Sequence, residues 1–533
     1  MAAAALTAER AVGPGHSVRD VKTLKTPPED TTGRRSGKTQ PEDADGRRIL
    51  MTEQTPDEAA DYDVIVVGAG PVGENVADRT QAAGLKTLIV ESELVGGECS
   101  YWACMPSKAL LRPGIALEDA RRVAGAREAV TGPLAAEAVL ARRDSFTKNW
   151  NDEGQVGWLD SVGVELLRGH GRLDGPRRVA VRTPDGEVRR LTARYAVAVC
   201  VGTKALLPND VPNLASAKVW TSRDATSAHA VPGRLAVVGG GVVAVEMATA
   251  WRSLGSEVVL LVRDNKLLPR MEPFVGEYVA DALRKAGVDV RFGVPVMELD
   301  RPADPGPVIV TVGNYSTVEA DEILYAIGRT PHTDDIGLET IGLTPGSWLE
   351  TDDSCTVRAV EGDWLYAVGD VNHRALLTHQ GKYQARIAGA VIGARARGEN
   401  PDASVWSPYV ATADIAAVPQ VVFTDPEVAS VGLTAAEAEA KGHRTRVVDY
   451  DIGSVAGASL YADGYTGQAR MVVDLDREVL LGVTFVGPGV SELIHSATVA
   501  VAGEVPISRL WHAVPSYPTI SEIWLRLLET YRG

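Results

Sequence analysis

An α/β fold with two Rossmann-like units is predicted by one pattern that occurs twice in this chain, and a pair of cysteines beside the first copy says what kind of unit it is. The first copy is DYDVIVVGAGPVGENVADRTQAAGLKTLIVE. It runs from an apolar strand, Val64 to Val67, through Gly68, Gly70 and Gly73 into a helix, and on to a second strand ending at Glu91. The second copy is RLAVVGGGVVAVEMATAWRSLGSEVVLLVRD, with Gly239, Gly241 and Ala244 in the turn and a second strand ending at Arg263. The third observation is GGECSYWACMPSK, which holds Cys99 and Cys104 behind two glycines and ahead of Pro106.

Each part of the repeated pattern has a physical purpose. The glycines allow a tight turn and a close approach of backbone to a pyrophosphate. The helix N-terminus faces the phosphates, and an acidic side chain about twenty residues on takes the ribose hydroxyls. GxGxxG alone is weak evidence, but strand, helix, second strand and Glu91 in order make a complete dinucleotide fingerprint. Two fingerprints imply two dinucleotides.

The spacing of Cys99 and Cys104 predicts a redox-active disulfide. In a regular helix, residues five apart have Cα atoms roughly 8 to 9 Å apart, beyond the roughly 4.4 to 6.8 Å a disulfide tolerates. The helix start must bend, and Pro106 is expected to end any regular ladder that would straighten it. A strained disulfide is easily reduced, which suits cycling rather than stapling. Two other readings stand beside this one: buried thiols that never meet, or half of a zinc site. The zinc site lacks a partner pair, because Cys200 and Cys355 are isolated in the sequence. No metal is therefore expected, and a disulfide beside the first fingerprint makes its dinucleotide a flavin.

Composition bounds the rest. A chain of 533 residues is too long for one core, and three domains are expected. A formal charge of -16 argues against a nucleic-acid partner. Four cysteines fit a reducing cytoplasm, where a dithiol pair is more often catalytic than structural. No apolar run approaches the roughly 20 residues of a membrane span. Residues 1–60 show no periodicity and are expected to be a disordered extension. MAAAALTAER lacks the basic start and long apolar core of a secretory signal.

On these motifs the chain resembles the class I pyridine nucleotide-disulfide oxidoreductases, the family of dihydrolipoamide dehydrogenase, glutathione reductase and mercuric reductase. The likeness runs from Tyr62 to about Leu528. It includes LYAVGDV, with Asp370 where the family holds the flavin's ribityl chain, ILYAIGRTP around Gly328 and Arg329, and VPQVVFTDPEVASVGLT, which opens the family's interface domain. The resemblance implies FAD bound by residues 61–208 and 327–400, with helical, Arg/Ala-rich sequence from Leu117 to Arg143. It implies an NAD(P)-binding domain at 209–326 and a C-terminal α+β dimerisation domain at 408–533, hence a homodimer. Gly202 joins Gly68, Gly70, Gly73, Glu91 and Asp370 as a flavin contact. Gly239, Gly241, Ala244, Arg263, Gly328 and Arg329 complete the cofactor-binding set. By position Cys99 is the interchange thiol and Cys104 the thiol in charge transfer with the flavin. Lys108 and Glu246 match the ion pair beside it, although an ordinary helix-surface lysine is the alternative for Lys108.

Two positions depart from the family pattern. Where an acidic residue at the end of the second strand would select NADH, this chain has Arg263, and Ala244 replaces the third glycine, so NADPH is expected ahead of NADH. Where disulfide reductases have HPTxxE, this chain reads YPTISE, placing Tyr517 in the histidine's position and Glu522 in the glutamate's. A phenol of pKa about 10 is a poor base at neutral pH, whereas imidazole is a good one. His512 is a possible substitute. Soluble transhydrogenases share the tyrosine and the tryptophan at Trp102 but lack the second cysteine. Mercuric reductases share both cysteines and the tyrosine but carry a C-terminal cysteine pair, whereas this chain ends LLETYRG. Three functions follow as hypotheses: reduction of a small disulfide, direct transfer from flavin to a quinone, dye or nucleotide, and a non-catalytic flavin-binding role. The partner is a small-molecule electron acceptor in every enzymatic case.

Overall fold

The computed structural model describes residues 60–303 and 305–533. The disordered extension expected at 1–60 lies, apart from Ala60, outside the described residues.

Among the described residues the largest sheet has seven strands. Its centre is Tyr62–Val67, paired in parallel with Thr87–Glu91 on one side and Val188–Val199 on the other. Leu365–Ala367 joins Val188–Val199 in parallel, so the chain leaves this sheet for the second unit and returns to it. Parallel strands covered on both faces are apolar throughout rather than alternating, which is why VIVV, Val64 to Val67, reads as an unbroken run. Val64 and Val66 pack with Val76 and Ala77 of helix Pro71–Ala82 and with Ala385 and Ala388 of helix Thr378–Ala396. Ile65 and Val67 face Val179, Val181 and Leu365 on the other side.

The second unit is a parallel sheet in the order Asp289–Phe292, Glu257–Val262, Arg234–Val238, Glu322–Tyr325, followed by an antiparallel three-stranded sheet. The strand expected to end at Arg263 ends at Val262, because the chain turns out to solvent at Arg263 after the buried run Leu260–Val262. The C-terminal sheet is antiparallel, in the order Pro419–Val422, Glu427–Gly432, Val479–Gly487, Gln468–Asp474, Thr445–Asp451. Helices Ile494–Ala502 and Ile523–Arg532 share a core with Met471 and Phe485 of this sheet. The helical stretch expected from Leu117 to Arg143 is instead two helices, Cys104–Arg121 and Ala136–Phe146. Gly125, at φ 89°, and Pro133 interrupt the ladder between them. No helix among the described residues is long and apolar enough to cross a membrane.

Candidate active site

The cysteines sit on two helices rather than one. Gly97–Tyr101 ends at Trp102, Ala103 breaks away at φ −129° and ψ −97°, and a new helix runs from Cys104 to Arg121. The break therefore precedes Cys104. Pro106, expected to end the ladder, lies in the first turn of the second helix, where a residue without an N–H costs nothing. Cys99 and Cys104 are free thiols here and hydrogen-bond each other, and the Thr378 hydroxyl lies 3.3 Å from Cys104 Sγ. The hydrogen bond from Cys99 pulls the Cys104 thiol down to about 6, helped by Thr378 and Lys108. Cys99, which is half-buried, is pushed up by the same hydrogen bond and by desolvation. The two thiols are thus held apart in opposite directions, Cys104 toward the thiolate and Cys99 toward the thiol.

Of the two bulky residues between them, Tyr101 is buried and donates its hydroxyl to Val95 O at 3.2 Å, so its role is packing. Trp102 lines the cleft. Its carbonyl accepts from Thr226 at 2.7 Å, and the Arg223 guanidinium lies 4.2 Å over its indole while bonding Glu98 and Glu93. Sequence reasoning missed Arg223, which no motif marks.

Lys108 follows Cys104 by one helical turn and meets Glu246, from helix Val242–Ser253, at 2.7 Å. The Glu246 side chain is 4% exposed, and its other oxygen accepts from the Phe423 amide at 3.0 Å. Lys108 also lies 4.9 Å over the Phe423 ring. Three distant segments thus converge beside the thiols, and Lys108 is not an ordinary surface lysine.

A cleft of 1870 Å³ joins the thiols to both glycine turns. Gly68 turns at φ 99°, and a β-carbon at Gly73 would fall 1.9 Å from Gly68 O, so the first turn admits only glycine at both places. Nothing approaches within 4 Å of where a β-carbon would stand at Gly70 or Gly202. That leaves the N-terminus of helix Pro71–Ala82 open to a phosphate. Glu91 accepts from the Ala69 and Glu93 amides, each at 2.7 Å. Asp370 is held by the Thr203 hydroxyl at 3.0 Å, and Arg329 bonds Thr203 in turn. Burial pushes the Asp370 carboxyl up while Arg329 pulls it down. A helix N-terminus open to phosphate and two carboxylates lining the same cleft, able to accept from sugar hydroxyls, are the groups an FAD requires. At the second turn Gly241 is likewise open, Ala244 is packed inside, and Gly328 lines the cleft beside Gly239. The Arg263 side chain is 82% exposed and 3.7 Å from Asp264. Lys266 and Arg270, which sequence reasoning did not single out, line the cleft with it. The cation spacing in RDNKLLPR was the available signal.

The C-terminal pair is not brought to the thiols within one chain. Tyr517 is 77% exposed, His512 is exposed, and Glu522 is buried with its carboxylate accepting from Gly457 N at 3.0 Å.

Glu74, directly after the last glycine of the first turn, was also missed. Its Oε1 is buried with no hydrogen-bond partner. Burial and the nearby Glu91 push its carboxyl up to about 7, against the pull of Lys382. An acid raised in the folded state favours folding most below its unfolded pKa, and that contribution is lost as pH rises through about 7. Glu74→Gln is expected to change stability little at pH 5 and to raise it by roughly 1 to 3 kcal/mol at pH 8. Urea unfolding at the two pH values checks this, and an equal effect at both would contradict it.

Residues 62–389 match the family described as pyridine nucleotide-disulphide oxidoreductase, and residues 418–527 match its dimerisation domain. The chain is 32% identical over 470 residues to a dihydrolipoyl dehydrogenase of Thermus scotoductus, covering 86% of this chain and 95% of that protein. It is 27% identical over 465 residues to a mercuric reductase of Staphylococcus aureus, covering 87% and 81%. In fold it matches LpdA from Mycobacterium tuberculosis with a TM-score of 0.74 at 23% identity, covering 88% of this chain and 100% of that one. It also matches the HOCl-induced flavoprotein disulfide reductase RclA from Escherichia coli with a TM-score of 0.73 at 22% identity, covering 88% and 99%.

Proposed function

Because this chain belongs to the pyridine nucleotide-disulphide oxidoreductase family, we propose that it reduces a small disulfide with NADPH, through FAD and the Cys99/Cys104 pair. Bound FAD would accept a hydride from the nicotinamide and pass two electrons to the disulfide. The observation that carries this reading is the placement of Cys99 and Cys104 on either side of the helix break at Ala103, beside the 2.7 Å Lys108–Glu246 ion pair and in the cleft that reaches both glycine turns. A binding protein has no need of that arrangement. Gly68, Gly70, Gly73, Glu91, Gly202 and Asp370 would hold FAD. Gly239, Gly241, Ala244 and Gly328 would hold the nicotinamide cofactor, and Arg329 joins the cofactor-binding set through Thr203 and Asp370, with the domain limits 61–208, 209–326, 327–400 and 408–533.

The preference for NADPH rests on Arg263, with Lys266 and Arg270 behind it as further cations for a 2'-phosphate. Arg263→Glu is expected to raise the KM for NADPH about tenfold or more and to lower that for NADH, since a charge-assisted phosphate contact becomes a repulsion. An unchanged ratio of kcat/KM for the two nucleotides would show that the arginine is a surface charge.

The assembly is a homodimer in this reading, formed through the C-terminal domain, with Tyr517 and Glu522 serving the partner's thiols. Tyr517 in the place of the family's histidine favours a second reading, transfer from the flavin to a quinone without the thiols. A steady-state screen of the purified yellow protein separates them. NADPH and NADH are tested against lipoamide, glutathione disulfide, a naphthoquinone and Hg(II). Turnover of a disulfide that requires Cys99 supports the first reading; turnover of the quinone alone, indifferent to Cys99, supports the second.

A further inference from the structure

Cys99 needs a positive charge that a C-terminal segment with tyrosine in the histidine's place does not supply. To attack a disulfide it must lose its proton, yet the bond to Cys104 and desolvation push its thiol up. Lys108 acts on Cys104, and the cation that acts on Cys99 comes from helix Thr378–Ala396. Thr378, at its first turn, touches Cys104, and Lys382 is one turn later on the same face. Helical side chains lean toward the N-terminus, so Lys382 leans toward the thiols.

The packing of this helix fixes what stands opposite Lys382. Three glycines set it against helix Pro71–Ala82. A β-carbon would come within 2.5 Å of Val72 at Gly381, 2.5 Å of Arg79 at Gly389 and 3.0 Å of Ala83 at Gly393. The helices therefore run side by side in one direction, and Lys382 is level with Glu74. The helix of Cys99 rests on the same N-terminus, since a β-carbon at Gly97 would lie 2.8 Å from Gly70 Cα. Lys382 is thus one turn beyond the residue that touches Cys104 and level with Glu74, whose Oε1 is buried and unpartnered, and its charge acts on both Glu74 and Cys99.

We propose that Lys382 is the cation that stabilises the Cys99 thiolate and the thiolate leaving the substrate, and that Glu74 is its ionisable counter-charge. This rests on the disulfide-reductase reading. In the step, Cys99 Sγ bonds one substrate sulfur, the substrate S–S bond breaks, and the other sulfur leaves as a thiolate and takes up a proton. Cys104 then attacks Cys99 Sγ and expels the second thiolate. Two electrons have passed to the substrate, and Cys99 and Cys104 are joined as a disulfide.

The groups facing Cys99 are Cys104, Thr378 and Lys382. Those facing Glu74 are Lys382 from its neighbouring helix, Glu91 from the strand and Tyr101 from the cysteine helix. Below pH 7 Glu74 is neutral and Lys382 acts on Cys99 undiminished. Above it the carboxylate offsets part of that charge.

The test is alkylation of Cys99 by iodoacetamide in the FAD-loaded protein, reduced chemically and desalted without oxygen, with the labelled peptide identified by mass spectrometry from pH 6 to 9. Lys382→Met is expected to slow alkylation at pH 7 about tenfold, the low end of what a nearby opposite charge does to an ionisable group. Lys382→Arg should restore most of the rate. Glu74→Gln should match the unaltered protein at pH 6 and react faster above pH 7. Equal rates in all variants, or Lys382→Arg as slow as Lys382→Met, would overturn the role of Lys382. An unaltered pH profile in Glu74→Gln would overturn that of Glu74. Should Lys382→Met fail to fold, the other two variants decide. Because reduction is chemical, failure of the protein to turn over small disulfides would sink the functional reading without touching these rates.

Discussion

Cys99→Ser is expected to lower NADPH-driven reduction of a small disulfide by about a thousandfold or more, since removal of a covalent nucleophile leaves only binding and positioning. A serine hydroxyl in the same place cannot carry a mixed disulfide. Transfer from the flavin to a naphthoquinone should persist, because its electrons need not pass through the thiols. The comparison is made on one preparation with both acceptors under identical NADPH. Equal loss with both acceptors would mean that Cys99 supports the flavin site itself; no loss with either would remove the thiols from the chemistry.

Lys108→Met carries the second large effect. The Glu246 carboxylate is 4% exposed, and its only cationic partner among the described residues is Lys108, 35% exposed at the side chain. Stranding a buried carboxylate costs about 3 to 5 kcal/mol when the partner is fully buried. Partial exposure of the lysine lets water recover some of this, so a loss of roughly 1 to 3 kcal/mol is expected here. Glu246→Gln should cost less, because the amide oxygen can still accept from Phe423. The double variant Lys108→Met/Glu246→Gln should then be more stable than Lys108→Met alone. Thermal unfolding of the three variants checks the order. Additive losses would show that the pair is not coupled.

What the sequence made legible was whatever short-range pattern encodes. Strand, glycine turn and helix recur within thirty residues, and the backbone at Gly68 and Gly73 permits little else, so both fingerprints could be read directly. The partnership of Lys108 with Glu246 became legible only through the family resemblance, because the two residues are 138 positions apart. Pro106 misled because a proline looks the same at a helix start as at a helix end, and only the backbone shows that the break lies at Ala103. Glu74 and Lys382 stayed hidden for a different reason. Their importance depends on how two helices pack through Gly381, Gly389 and Gly393, and no local periodicity in either helix announces that register. Arg223 is similar: its place over Trp102 is set by a distant segment folding back on the cysteine helix.

The measurement that tests the central claim most directly is an anaerobic titration with one equivalent of NADPH per FAD, followed by optical spectra and thiol labelling. The account predicts oxidised flavin with a long-wavelength charge-transfer band, Cys99 and Cys104 both accessible to labelling, and a band that fades as pH falls through about 6, where the Cys104 thiolate takes up its proton. Cys104→Ser should abolish the band. Bleached flavin with both cysteines still locked against labelling would contradict the account, because the electrons would then have stopped at the cofactor and the thiol pair would lie off their path.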